Sequence, residues 1–73
     1  MGATRGGVRC WDDEPGLGVV DSADTSGGCW VHWSVVDVDG FRRLVAGQGV
    51  WLEWESGWQD GYDYRATRVT PGS

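Results

Sequence analysis

"CWVHWSVV", residues 29–36, sets the only histidine of the chain between two tryptophans. The face on which each ring falls decides the fold. Side chains two apart in a strand share a face. Cys29, Val31 and Trp33 therefore oppose Trp30 and His32. Val31 is core-sized and belongs inside, which sends Trp30 and His32 outward together. Two exposed rings on one strand form an aromatic platform rather than a core.

The same alternation carries outward along the chain. In 50–55, Val50, Leu52 and Trp54 share the core face, and Trp51, Glu53 and Glu55 share the other. In 17–20, Leu17 and Val19 oppose Gly18 and Val20. The expected core is Val8, Val20, Val31, Val50, Leu52, Trp54 and Val69. Turn-rich stretches such as "DDEPG", "DSADTSGG", "SGWQDG" and "TPGS" separate five extended runs, at 7–11, 17–20, 29–33, 50–55 and 62–69. Between the third and fourth runs, "SVVDVDGFRRLVAGQG" is too long for a tight hairpin. We read 34–36 as a short 3-10 turn followed by an irregular crossing segment. No window holds a sustained helical period. Short strands, a long connection and a closing hairpin predict an all-β, five-stranded antiparallel Greek-key barrel of the OB-fold type.

Composition limits what such a barrel does. The 73 residues make a single domain, 1–73, near the lower size limit for a self-sufficient core. Its ordered part is expected at about residues 5–70. Gly (13) and Trp (6) are abundant, the net charge is -5, and all six basic residues are Arg. That balance argues against strong non-specific duplex binding, whose affinity comes from phosphate contacts. It leaves room for a local Arg patch on an acidic body. Two cysteines, Cys10 and Cys29, are too few for a disulfide framework and are expected to be free. "MGATRGG" has no apolar signal-peptide region, and no apolar run reaches membrane-spanning length. The default location is the cytoplasm, with no membrane partner.

No catalytic or metal centre is expected. Cys29 and His32 point to opposite faces of their strand, and no second histidine exists. Ser34 is two residues from His32, but no orienting carboxylate or oxyanion site accompanies the pair. No cofactor is expected, and "GLGV" lacks the lysine and helix of a phosphate loop.

Three stretches, and a short fourth, together resemble the bacterial cold shock proteins, or cold-shock domains. "GGVRCWDDEPGLGVV", 6–20, is similar to the family pattern G-x-V-K-W-F-N-x-E-K-G-F-G-F-I. "CWVHWSVV" is similar to V-F-V-H-F-S-A-I. "GFRRLVAGQGVWLE", 40–53, is similar to G-F-x-x-L-x-x-G-Q-x-V-x-F-E, and "ATRV", 66–69, to the terminal A-x-N-V. The resemblance implies a five-stranded OB barrel that binds single-stranded RNA or DNA as an RNA chaperone or a regulator of transcription or translation. It implies a nucleic-acid-binding set of Leu17 and Val19 from the first motif, Trp30, His32 and Trp33 from the second, and Phe41. Trp11 joins this set if it faces the ligand rather than a small secondary cluster. Arg9, Arg42, Arg65 and Arg68 are the candidate phosphate or base-edge partners.

The departures from the pattern fall on the first motif. Leu17 and Val19 replace two Phe, Pro15 replaces a Lys, and Cys10 replaces an exposed Trp. At about 1–3 kcal/mol per stacked base, three missing rings weaken binding by at most about 3–9 kcal/mol. Strict alternation puts Cys10 with Val8, while the resemblance puts it on the binding face; a bulge in the first strand reconciles the two. The alternative is a barrel that has lost most nucleic-acid affinity and uses its exposed Trp residues for a protein partner or self-association. A sugar-binding aromatic platform is a third, weaker reading.

Overall fold

The computed structural model describes residues 1–40 and 42–72. Phe41, assigned above to the base-contacting set, lies outside the described residues. Five strands make a closed barrel: β1 (Gly2–Asp12), β2 (Leu17–Asp21), β3 (Cys29–His32), β4 (Gly49–Gln59) and β5 (Tyr62–Pro71). A 3-10 turn, η1 (Trp33–Val35), follows β3, one residue earlier than the 34–36 expected from the sequence. The order around the barrel is β1-β2-β3-β5-β4. Four pairings are antiparallel, as expected for the Greek key, while β3 and β5 close the wall in parallel at Cys29–Tyr64 and Trp30–Arg65. Among the described residues no helix is long and apolar enough to cross a membrane.

Closure takes more strand than the apolar runs announce. β1 starts at Gly2, because its first half pairs with β4 and only its second half pairs with β2. Gly7 serves both, opposite Asp21 on one side and Gly49 on the other. "GATRGG" carries little β propensity, so this half strand is imposed by ladder hydrogen bonds. β4 likewise runs through "SGWQ", expected as turn, and the reversal narrows to Asp60 and Gly61 at φ 50° and 88°. Two successive positive φ values are the hairpin geometry whose twist matches the flanking strands.

Val8, Val20, Val31, Val50, Leu52 and Val69 lie in the core as expected, joined by Cys29, Val36, Leu44 and Ala66. Trp54 differs: it is only partly buried, caps the core, and meets Tyr64 edge-on at 5.2 Å. The bulge beside it places its extra residue, Thr67, on β5, so β4 keeps its alternation and Trp54 stays on the Leu52 face, its ring lying over Gly2. Leu44 comes from the irregular crossing segment, which has no period to reveal it.

The bulge that reconciles Cys10 with the binding face is present. The β1–β2 register shifts between Val8 and Cys10, leaving Arg9 as the extra residue. Cys10 is then exposed while Val8 stays inside. Trp11 consequently turns the other way and packs against the core, with its ring over Gly18. A β-carbon on Gly18 would sit 2.5 Å from that ring and 2.6 Å from the Cys10 carbonyl.

Two outcomes test these faces. Leu52 is fully buried, so Leu52→Ala should cost about 2–5 kcal/mol in the urea midpoint; no shift would mean a wrong β4 register. The Cys29 thiol is fully buried, and desolvation pushes its pKa up to about 12. Ellman titration of native protein near about pH 8 should therefore modify Cys10 alone, with Cys29 reacting only after unfolding.

Candidate nucleic-acid interface

The register of β2 against β3 lays out the outer face in rows. Leu17 lies opposite His32, and Val19 opposite Trp30. β1 extends these rows with Asp12 beside Leu17 and Cys10 beside Val19. On the other side Arg65 of β5 lies next to Trp30, and Glu55 of β4 next to Arg65. The sequence-derived residues Leu17, Val19, Trp30 and His32 thus share one surface.

Trp33 joins them for a different reason. Alternation alone would send it inward with Val31. β3 ends at His32, and η1 turns Trp33 outward to 45% exposure. The rings then run in sequence across the surface. Trp30 and His32 lie 6.0 Å apart at 27°, and His32 and Trp33 lie 5.4 Å apart at 36°.

His32 is fixed by its own turn. It is the N-cap of η1, and its Nδ1 accepts the backbone N–H of Ser34 at 3.2 Å. The Ser34 hydroxyl lies 2.7 Å from the same nitrogen. An Nδ1 that accepts a backbone proton leaves the ring proton on Nε2, free to donate outward. Ser34, read from the sequence as a turn residue and weighed as a nucleophile, is therefore the residue that orients the central ring.

Val19 is on the outer face but covered. Arg9, Val19 and Tyr62 crowd the Cα of Gly28, where a β-carbon would meet each within 3.2 Å. Tyr62 belongs to the edge of this surface through its place on the β4–β5 hairpin, a position no local pattern predicts. Trp11 packs against the core instead of facing the rings, and its indole Nε1 donates to Asp13 Oδ1 at 2.8 Å. Trp51 and Trp58 are exposed elsewhere, on β4.

The arginines divide sharply. Arg9 donates through Nε and Nη2 to Asp21 at 3.0 and 2.6 Å, and to the Gly27 carbonyl at 3.2 Å. That hydrogen-bonded pair raises the Arg9 pKa and lowers that of Asp21. Arg68 is held by Asp37, its pKa raised, with Glu53 at 4.0 Å. Arg65 pairs with Glu55 at 2.6 Å and Arg43 with Asp13 at 3.3 Å. Among the described residues, only Arg5 and Arg42 have no carboxylate partner. Arg42 lies over Trp33, 5.9 Å from the ring centroid, and donates to the Ser34 carbonyl at 3.1 Å. Arg42 is thus the sequence-derived cation brought to the rings, whereas Arg9 and Arg68 spend their guanidinium groups on neighbouring acids.

No family model matches the chain. Curated relatives do. A cold shock-like protein of Thermotoga maritima is 38% identical over 53 residues, covering 73% of this chain and 79% of the relative. The cold shock-like proteins CspC and CspE of Escherichia coli K12 are 33% and 32% identical over 57 residues, covering 78% of this chain and 83% of each relative. The barrel, the ordered motifs and these identities agree: the chain is a divergent member of the cold shock protein family.

Proposed function

We propose that this protein binds single-stranded RNA or DNA by stacking unpaired bases on the row Trp30, His32 and Trp33. The observation that carries this reading is the row itself. Three outward rings lie 5.4–6.0 Å apart, the central one pinned by a backbone hydrogen bond. Every base has a π-face, so such a row accepts single strands with little sequence demand. Kinship with the cold shock proteins supports a binding role rather than a catalytic one, of the RNA-chaperone or gene-regulatory kind.

The first motif contributes apolar contact rather than rings. Leu17 is partly exposed beside His32, while Val19 is 6% exposed. Cys10 completes the row where the family pattern has an aromatic residue. The platform is therefore narrower than the full motif and concentrated at the β3–η1 side. Phosphate attraction is also weak, because Arg9, Arg65 and Arg68 are paired within the protein. Stacking supplies most of the affinity, and Arg42 supplies the local positive charge.

Tryptophan fluorescence titrations with oligo-dT and a mixed RNA oligomer, at two salt concentrations, test this reading. Trp30→Ala should weaken binding by about 1–3 kcal/mol with the fold intact. No quenching and no amide shifts at Trp30 and His32, at low salt and high micromolar oligomer, would overturn the reading in favour of protein contact.

The salt response is a separate prediction. With one to two phosphate contacts at about 0.7 ions each, log Kd should rise with log salt at a slope of about 1. Arg42→Ala should lower that slope. Arg68→Ala, whose guanidinium already faces Asp37, should leave it in place.

A further inference from the structure

A cleft of about 420 Å³ opens at the Trp33 end of the ring row. Its size falls within the range of small-ligand sites. It is lined by Asp13, Pro15 and Gly16 of the β1–β2 turn together with Trp33, Gly40 and Arg42. We infer that this cleft is a base-reading subsite selective for guanine. The inference rests on the nucleic-acid reading above and adds to it a preferred base and the residues that set it.

The aromatic wall is fixed by backbone. Gly16 has φ 83°, and a β-carbon there would lie 2.7 Å from Trp33 Cδ1. Only glycine lets the indole lie against the turn in that conformation. The Trp33 N–H donates to the Gly16 carbonyl at 2.9 Å, tying η1 to the turn.

The lining carries charged groups of both signs, Asp13 and Arg42. Asp13 is held by Trp11 Nε1 at Oδ1, 2.8 Å, and by Arg43 near Oδ2, 3.3 Å. Two donors from the protein orient the carboxylate, and each oxygen keeps a further lone pair for a ligand. Arg42 is oriented by its bond to the Ser34 carbonyl and by the Trp33 ring, with guanidinium N–H groups left over.

A cleft lined by both a carboxylate acceptor and guanidinium donors matches one base best. Guanine presents adjacent N1–H and N2–H donors to a carboxylate, and O6 and N7 acceptors to an arginine. Uracil and thymine offer one N–H flanked by two carbonyls, which a carboxylate repels. Adenine and cytosine each offer an amino donor, but neither has guanine's paired donors beside a carbonyl. The acidic turn that disfavours phosphate thus acquires a role in reading a base edge.

The test compares oligouridine hexamers that carry one central guanosine, inosine or adenosine with the all-uridine hexamer, by Trp fluorescence at fixed low salt. Guanosine should bind tighter than uridine by about tenfold, and inosine, lacking the N2 amino group, should lose most of that gain. In Asp13→Asn the guanosine-to-uridine ratio should fall to about twofold, and in Arg42→Gln it should fall as well. Circular dichroism checks that both variants fold, and the inosine comparison needs no variant at all. Equal binding of guanosine and uridine, or an unchanged ratio in Asp13→Asn, would overturn the guanine subsite while leaving the stacking row in place. Failure of every oligomer to bind would overturn both.

Discussion

The constraint on which this protein depends is the register of β2 against β3. Val20 and Val31 are fully buried, while Val19 faces Trp30 and Leu17 faces His32 on the outer side. A slip of one residue would exchange those faces, pushing two large rings into a core built for valine. Core volume and platform geometry are therefore set by one pairing. The core is small and dominated by β-branched side chains, so it tolerates little irregularity on its inner face. The rings are held at the surface because the interior has no room for them.

Where the chain needs a face to change, it uses a bulge or a turn. The extra residue at Arg9 puts Cys10 outside and Trp11 against the core. The end of β3 at His32 puts Trp33 beside His32 instead of beside Val31. Each departure from period two relocates a tryptophan, the residue with the most surface to place.

Charge follows a different logic. An acidic protein with six arginines invites a reading of basic patches, yet the ion pairs at Arg9, Arg43, Arg65 and Arg68 direct those charges to the protein's own carboxylates. The pairs are at least one-third exposed, so each adds little stability. Their larger effect is on electrostatics: they leave Arg42, next to Trp33, as the cation available to the aromatic surface. Binding that relies on ring area more than phosphate attraction suits a barrel whose body repels polyanions.

The sequence by itself determined the strand faces. Period-two alternation in 17–20, 29–33 and 50–55 placed Val20, Val31, Val50 and Leu52 inside and Trp30 and His32 outside, because each strand carries its own burial signal. Three ordered motifs carried the barrel type and its family. Tertiary structure alone decided what depends on partners distant in sequence. The glycine-rich half of β1 becomes strand because β4 offers it a ladder, and β3 meets β5 in parallel because the barrel must close. Leu44 enters the core from a segment with no period, and Tyr62 reaches Gly28 through the hairpin. The partners of Arg9 and Arg68, 12 and 31 residues away, appear in no local pattern. Alternation is written residue by residue, whereas closure, bulges and charge pairing arise only when separate strands are brought side by side.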